Sequence, residues 1–290
     1  MLLNPLTFHA PKTLSEAASL YASLESVKLQ AGGTFLLNSL KLFKRKGTKT
    51  PEHILSLRQV DELRGVSQEN GQLIIGSMTT INDLADSPLL TDNLAVFKIV
   101  CKNISTNPIR NMATVGGNLT CRYTWTEMPA TMVGLDANLH FMGSDGKTET
   151  IRAEDFFKSA AKTKKIFTHV TILKDPNATI AYRRVKKSPN VDVPLLSLLI
   201  QTNFDGDQFT NTKVGVNNCV VFAQRDKSLE EFLNNSKCSD KIAEEALDHL
   251  DTAIYDTRSS DYKKYIFRVS IKDALNELVN KHTIHDNSNN

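Results

Sequence analysis

Residues 27–42, VKLQAGGTFLLNSLKL, carry the first decision about this chain. Val27 to Ala31 is short and alternates apolar with polar residues, as a buried strand does, and it runs straight into Gly32 and Gly33. From Leu36 to Leu42 the spacing turns helical. Upstream, Thr13 to Glu16 (TLSE) is a capping-box pattern, and Leu14, Ala17, Leu20, Tyr21 and Leu24 follow at helical spacing. A helix over about 14–24 is therefore expected. Downstream, His53 to Leu57 reads as another strand, so the order is helix, strand, glycine turn, helix, strand.

The same reading extends along the chain. Gln72 to Gly76 is a strand after the turn signal Glu69-Asn70-Gly71, and Thr80 to Asp83 caps a short helix that ends before Pro88. Leu89 to Lys102 reads as one helix, Asn103 to Asn118 as a polar, glycine-bearing loop and Ala130 to Leu135 as helical. Ala137 to Met142 and Thr148 to Arg152 flank the hairpin signal of residues 143–146, GSDG. A strand at Thr168 to Leu173 precedes the polar, proline-bearing link of residues 174–178, where a domain boundary is expected. Ile180 to Val185, Leu195 to Asn203 and Lys213 to Gln224 read as three strands of an antiparallel meander. Ser228 to Glu231 is a second capping box, Asp240 to Ala253 is amphipathic, and Asp261 to Asn280 is a long helix. The polar tail from His282 is expected to fray.

Composition narrows the function. In 290 residues the chain has 35 Lys plus Arg against 32 Asp plus Glu, and its longest basic run is Lys41 to Lys46 (KLFKRK), far from a nucleic-acid footprint. The longest apolar stretch, Val193 to Ile200, is interrupted by Pro194 and Ser197, and a span needs roughly 20 residues, so no membrane span is expected. The N-terminus does not read as a signal peptide, which together with free thiols points to a cytoplasmic protein. Cysteines 101, 121, 219 and 238 are too scattered to hold zinc or an iron–sulfur cluster. His282-x-x-His285 has ligand spacing without a third ligand, and the other histidines stand singly; no metal site and no hydrolytic nucleophile are expected.

Two segments carry chemistry: residues 31–35, AGGTF, and residues 111–118, NMATVGGN. Glycine pairs admit positive φ and leave backbone N–H groups uncovered, so successive amides can form a nest for phosphate oxygens, with a neighbouring Thr as further donor. Neither segment is G-x-G-x-x-G or a P-loop. Each pair taken alone is first of all a turn or a bulge; two such pairs beside Thr favour a phosphate cradle without naming its ligand.

Longer phrases do name a family. LQAGGTFLL (29–37), LRQVDELRGV (57–66), IGSMTTINDLADSPLL (75–90), NPIRNMATVGGNL (107–119), PATMVGLDANL (129–139) and SDYKKYIFRVSIKDALNELV (260–279) occur in order over nearly the whole chain. The sequence resembles the flavin (medium) subunit of the molybdenum hydroxylases, which include carbon monoxide, xanthine and nicotine dehydrogenases. The resemblance implies an α+β protein: a two-subdomain FAD-binding fold of the vanillyl-alcohol-oxidase (PCMH) type over residues 1–175, with subdomains of about 1–56 and 57–175. A small C-terminal domain of antiparallel sheet and helices would follow over 178–284, with 285–290 as a tail.

Its site residues follow by the same resemblance. Lys28, Leu29, Gln30, Ala31, Gly32, Gly33, Thr34, Phe35 and Leu36 would bind the FAD pyrophosphate. Ile104, Ala113, Thr114, Gly116, Gly117 and Asn118 would line the flavin, and Glu127 stands where relatives have Asp near the adenosine end or ribose. Arg184 falls where relatives often carry Lys near the flavin, and Asp192 in a loop that approaches the isoalloxazine; a solvated face is the bland reading of both. Phe35 replaces a commonly polar residue. Residues 121–125, CRYTW, replace a smaller, polar run, and Tyr123 and Trp125 either cover the flavin or fill core. Cys121 is expected as a free thiol.

The resemblance implies an electron-transfer subunit with no catalytic residue of its own. A large molybdenum-cofactor (molybdopterin) subunit would hydroxylate the substrate, and a small subunit with two [2Fe-2S] clusters would pass electrons to this FAD and on to an acceptor, in a heterotrimer or its dimer. Loops around Thr106 to Met112 and Lys186 to Asp192 would face a partner. The rival readings are a flavin-free scaffold subunit, prompted by Phe35 and residues 121–125, and a stand-alone flavin reductase such as enolpyruvoyl-glucosamine reductase, against which the C-terminal phrase speaks.

Overall fold

Parallel neighbours cannot be joined by a tight turn, and the N-terminal segment meets that constraint with two crossover helices. In a computed structural model that describes residues 4–121, 126–159, 163–186, 188, 192–255 and 260–289, with side chains to residue 284, the chain begins with β1 (Thr7–His9), α1 (Leu14–Ser23), β2 (Val27–Gln30), α2 (Leu36–Arg45) and β3 (His53–Ser56). The strands lie in the order β1-β3-β2, all parallel. Thr13 caps α1 as its sequence pattern requires, accepting a hydrogen bond from the Glu16 N–H at 3.2 Å. Ala17 and Ala18 of α1 pack against Leu57, Val60, Leu63, Met78 and Ile166. On the other crossover, α2 buries only Leu40 among its ten residues. The first strand, β1, has no counterpart in the sequence reading.

A second, antiparallel sheet follows. Its order is β4-β5-β8-β6-β7, built from β4 (Val66–Glu69), β5 (Gln72–Gly76), β6 (Asn138–Met142), β7 (Thr148–Arg152) and β8 (Ile166–Leu173). Between β5 and β6 run α3 (Ile81–Ala85), α4 (Val96–Asn103), α5 (Asn107–Arg110), α6 (Val115–Thr120) and α7 (Met128–Gly134), and α8 (Ala153–Lys158) follows β7. The hairpin β6–β7 and the Thr80-capped helix agree with the sequence reading. The single helix expected over 89–102 does not: Asp92 takes φ 52°, a 3-10 turn covers Asp92–Ala95, and α4 starts only at Val96. The loop expected over 103–118 contains α5 and the start of α6, which runs on to Thr120.

The third sheet is an antiparallel meander in the order β12-β11-β10-β9, with β9 (Thr179–Lys186), β10 (Pro194–Asp205), β11 (Gln208–Asn217) and β12 (Gln224–Arg225). The third strand expected over 213–224 starts earlier, at Gln208, pairs with β10 after a tight turn and ends at Asn217, and only Gln224 and Arg225 pair again beyond it. Then come α9 (Lys227–Asn234), α10 (Ile242–Glu245), α11 (Thr252–Tyr255) and α12 (Asp261–Asn289). The cap of α9 is Asp226, not the Ser228 of the expected capping box; its carboxylate accepts from the Leu229 N–H at 3.0 Å and from the Tyr255 hydroxyl at 2.8 Å. Because Asp226 also takes the Asp251 N–H, the chain bends there, and the amphipathic segment 240–253 splits into short pieces. The tail does not fray at His282: α12 continues to Asn289, and the His282 ring stacks on Phe204 with centroids 4.1 Å apart. Among the described residues no helix is long and apolar enough to cross a membrane.

Every residue of α7 is buried, because the helix lies against both the second-sheet core and the third sheet. Close approach explains its glycine: a Cβ on Gly134 would stand 2.6 Å from Leu199 Cδ2, and one on Gly215 of β11 only 2.3 Å from the Ala130 carbonyl oxygen. Just past α7, Asp136 binds Arg152 at 2.5 Å and Lys213 at 3.1 Å, tying β7 and β11 to the same joint.

Candidate functional site: a seam between two glycine loops

The two glycine segments, some 80 residues apart in sequence, meet in space. A Cβ placed on Gly32 would lie 1.9 Å from the Met112 carbonyl oxygen and 3.0 Å from the Ala113 Cα. One placed on Gly117 would lie 3.1 Å from Thr114 Oγ1 and 3.8 Å from the Ala31 Cβ. Glycine at 32 is therefore what lets the two backbones touch.

Within the first loop, Gly33 has φ +74°, where an L side chain is strained. The chain then enters α2 at Phe35 with no side-chain cap hydrogen bond and no acidic residue in the first turn, so no carboxylate of the helix offsets the partial positive charge at its N-terminus. Phe35 itself is 42% exposed. Gln30 lies beside Gly33, its Nε2 3.0 Å from where a Gly33 Cβ would stand, and its Oε1 is buried with no hydrogen-bond partner among the described residues. Leu29 and Ala31 point to the α1 side, against the Ala17 cluster. Lys28 is exposed.

The second loop departs from expectation. Gly116 and Gly117 do not take positive φ; they lie inside α6, whose N-cap Thr114 accepts from the Gly117 N–H at 3.1 Å. Gly116 is small because Ser77 is close: a Cβ would meet the Ser77 carbonyl oxygen at 2.7 Å. Residues 113–116 are stitched to the segment leaving β5 by Ile81 N–H to Ala113 O (2.9 Å), Val115 N–H to Thr79 O (3.0 Å) and Gly116 N–H to Ser77 O (2.8 Å). Asn118, on the following turn, has a buried Oδ1. On the first-loop side, the seam thus holds one buried amide acceptor, Gln30 Oε1.

Ile104, buried at the end of α4, belongs to the wall rather than the seam. Its loop is shaped by Arg110, a residue the sequence reading missed: Nη1 donates to the carbonyls of Lys102, Ile104 and Ser105 at 3.3, 3.0 and 3.2 Å, and Nε donates to Asn82 Oδ1 at 3.1 Å. Asn82 in turn donates to Asn107 and Asn111. No local pattern marks such a network.

Glu127, Arg184 and Asp192 form a separate cluster, which the solvated-face reading of the last two did not anticipate. Arg184 Nε donates to Glu127 Oε1 at 2.7 Å and Nη2 to the Asp192 carbonyl at 2.5 Å, and both charged side chains are more than nine-tenths buried. Burial pushes the Glu127 carboxyl up to about 7, against the opposing pull of Arg184. Tyr182 on β9 faces Glu127 and Asn103, and its hydroxyl is held protonated by burial. Tyr123 and Trp125 lie outside the described residues, as do most residues between Lys186 and Asp192.

The cysteines are thiols: Cys101 and Cys219 are buried, which pushes each up to about 12, while Cys121, whose Sγ donates to the Asn118 carbonyl at 3.2 Å, and Cys238 are half-buried. Only accessible thiolate reacts. Dithionitrobenzoate is therefore expected to modify at most Cys121 and Cys238 in the native chain and all four after unfolding; native labelling at Cys101 or Cys219, read by peptide mass, would contradict the packing.

Residues 4–174 match the family described as FAD binding domain in molybdopterin dehydrogenase. The carbon monoxide dehydrogenase medium chain of Hydrogenophaga pseudoflava is 32% identical over 177 residues, covering 61% of this chain and 57% of that one, less than two thirds of its length. The medium chain of Afipia carboxidovorans carbon monoxide dehydrogenase is 27% identical over 224 residues, covering 75% and 76%. In three dimensions the chain is similar to the Hydrogenophaga pseudoflava carbon monoxide dehydrogenase that lacks the Mo-pyranopterin moiety, with a TM-score of 0.87 and 25% identity over 96% of this chain and 98% of that one. Because the match spans more than half of the chain and includes both sides of the glycine seam, the chain belongs to the family of FAD-binding domains of molybdopterin dehydrogenases.

Proposed function

We propose that this chain is the FAD-binding, electron-transfer subunit of a molybdenum hydroxylase complex. The observation that carries the proposal is the glycine seam: close-packed loops, a helix start without a side-chain cap beside Gly33, and a buried amide oxygen, Gln30 Oε1, that accepts no hydrogen bond among the described residues. Such a cradle suits a dinucleotide, because backbone amides and a helix N-terminus bind pyrophosphate while side-chain amides accept from ring or ribose donors. FAD held there would supply the redox chemistry between the [2Fe-2S] clusters of a small partner subunit and an external acceptor.

The chain's own residues bind and orient. Residues 28–36 hold the pyrophosphate, and Thr114, Gly117 and Asn118 position the flavin, with Ile104, Ala113 and Gly116 as the wall. Arg184 fixes Glu127 and the backbone at Asp192, so that Asp192 keeps one place relative to the start of α7. The first two sheets, residues 1–175, clasp the cofactor, and residues 178–284 brace them through α7. Exposed Ile109 and Met112, beside the seam, supply apolar contacts for a partner on the loop of residues 106–112. Hydroxylation then takes place on the molybdenum subunit, in a cytoplasmic complex that keeps the four cysteines as thiols.

The test is spectral and compositional. The purified chain is expected to show an oxidised-flavin spectrum with about one FAD per chain, and to reduce dye with substrate only after the molybdenum and iron–sulfur chains are added. A colourless chain that resists reconstitution would favour the scaffold; turnover by the single chain would favour the stand-alone reductase.

A further inference from the structure

Helix α2 is amphipathic, yet of Leu36, Leu37, Leu40, Leu42 and Phe43 it buries only Leu40. Between α2 and the face of the parallel sheet that it crosses runs an open groove of about 170 Å³, lined by Leu6, Phe8, Gln30, Gly33, Leu37 and Ile54 among others. Two of the lining side chains are far more open than apolar groups on a covered face, Phe8 at 57% and Leu37 at 49%. Phe35, at the groove's glycine end, is also exposed. The charges of α2 have one sign: the helix and the residue after it carry Lys41, Lys44, Arg45 and Lys46 and no Asp or Glu, while the nearest acid on the strand side, Glu52 just before β3, is paired with Lys49. Lys28, exposed on β2, alternates with Leu29 and so lies on the same sheet face as Gln30 and Ile54. Sequence alone shows the basic run; only the fold shows that it borders an uncovered apolar groove.

We infer that this groove docks a segment of a partner subunit that presents leucine- or phenylalanine-type side chains flanked by Asp and Glu. Apolar anchors would fill the space between Phe8 and Leu37, and the carboxylates would meet the lysines and Arg45, giving orientation and a salt-dependent association rate. A second copy of this chain fits poorly as occupant, because the matching surface would bring the same basic helix against itself. Since Gly33 lines the groove and also belongs to the cofactor seam, the docked segment would close the outer side of the first glycine loop.

The inference rests on the heteromeric complex proposed above, and one experiment separates the two. The complex is assembled from this chain and its co-expressed molybdenum and iron–sulfur subunits, with a photo-crosslinking residue at position 37 and, separately, with Leu37→Gln, Leu37→Glu and the pair Lys41→Glu/Arg45→Glu. These positions are exposed, and FAD content with the thermal midpoint checks each fold. The expected result is a crosslink to a subunit segment rich in Asp and Glu around an apolar residue, at least a tenfold weaker association for Leu37→Glu, and a flatter salt dependence for the charge-reversed pair. Leu37→Gln should weaken association less. Normal assembly by all variants, or a crosslink to a second copy of this chain, overturns the groove while leaving the complex intact. A wild-type chain that joins neither subunit overturns both.

Discussion

Gly32→Ala is expected to strip the chain of FAD and to cost about 3 kcal/mol of stability, an effect at the upper end for overpacking. The added methyl would stand 1.9 Å from the Met112 carbonyl oxygen and 3.0 Å from the Ala113 Cα, and backbone on both sides leaves nothing flexible to move. The loops must part, and parting them opens the seam where Gly32 meets Met112 and Ala113 and Ala31 meets Gly117. Gly33→Val acts differently. Its φ of +74° strains a β-branched residue by about 1–3 kcal/mol, but the nearest atom to a Cβ is the far end of the Gln30 side chain, so the seam itself survives. The variant should lose FAD chiefly through damage to the pyrophosphate nest. FAD per chain after gel filtration, with urea unfolding of the same samples, reads both effects. A Gly32→Ala protein that keeps one FAD at wild-type stability would sink the seam, and a Gly33→Val protein that keeps it would reject the pyrophosphate assignment.

These two glycines show what was legible in the sequence. The strand–GlyGly–helix order of residues 27–45 could be read directly, because alternation gives way to helical spacing at the glycines and the capping box of α1 is local. The two glycine pairs look alike in sequence and differ in the fold: Gly33 is a left-handed turn residue, Gly32 a contact residue, and Gly116 and Gly117 are helical, because what decides each is the neighbour across space, Met112, Ser77 or Thr114. The cap of α9 was misplaced for the same reason. Asp226 is held by Asp251 and Tyr255, 25 and 29 residues away, whereas the pattern at Ser228 is only local. The Glu127–Arg184 pair, 57 residues apart, had no local signal either, and on sequence alone Arg184, like Asp192, read as part of a solvated face. Short-range chemistry was visible; long-range partners were not.

That pair carries the other large effect. Glu127 is raised to about 7 by burial, so the folded chain binds the carboxyl proton more tightly than the unfolded chain, where the ordinary value is about 4.5. The sign follows from linkage: the group's stabilising contribution is complete below about 4.5 and is lost as pH rises through about 7. Glu127→Gln, neutral at every pH, should remove that slope, so its unfolding free energy should run flatter than wild type between pH 5 and 7 and the two curves should diverge by at most about 1.4 kcal/mol per pH unit. Arg184→Met removes the charge that opposes the upward shift and leaves the Asp192 carbonyl without its donor. At pH 8, where Glu127 must ionise or take a proton at a cost, Arg184→Met is expected to lose about 3–5 kcal/mol, and less at pH 5.5, where the carboxyl is already neutral. The double variant Glu127→Gln/Arg184→Met should recover part of the loss at pH 8, because no buried carboxylate then remains. Urea unfolding at the two pH values decides the matter: equal losses for Arg184→Met at both, or parallel profiles for wild type and Glu127→Gln, would show that the carboxyl stays ionised throughout and that the guanidinium, not burial, sets its proton affinity.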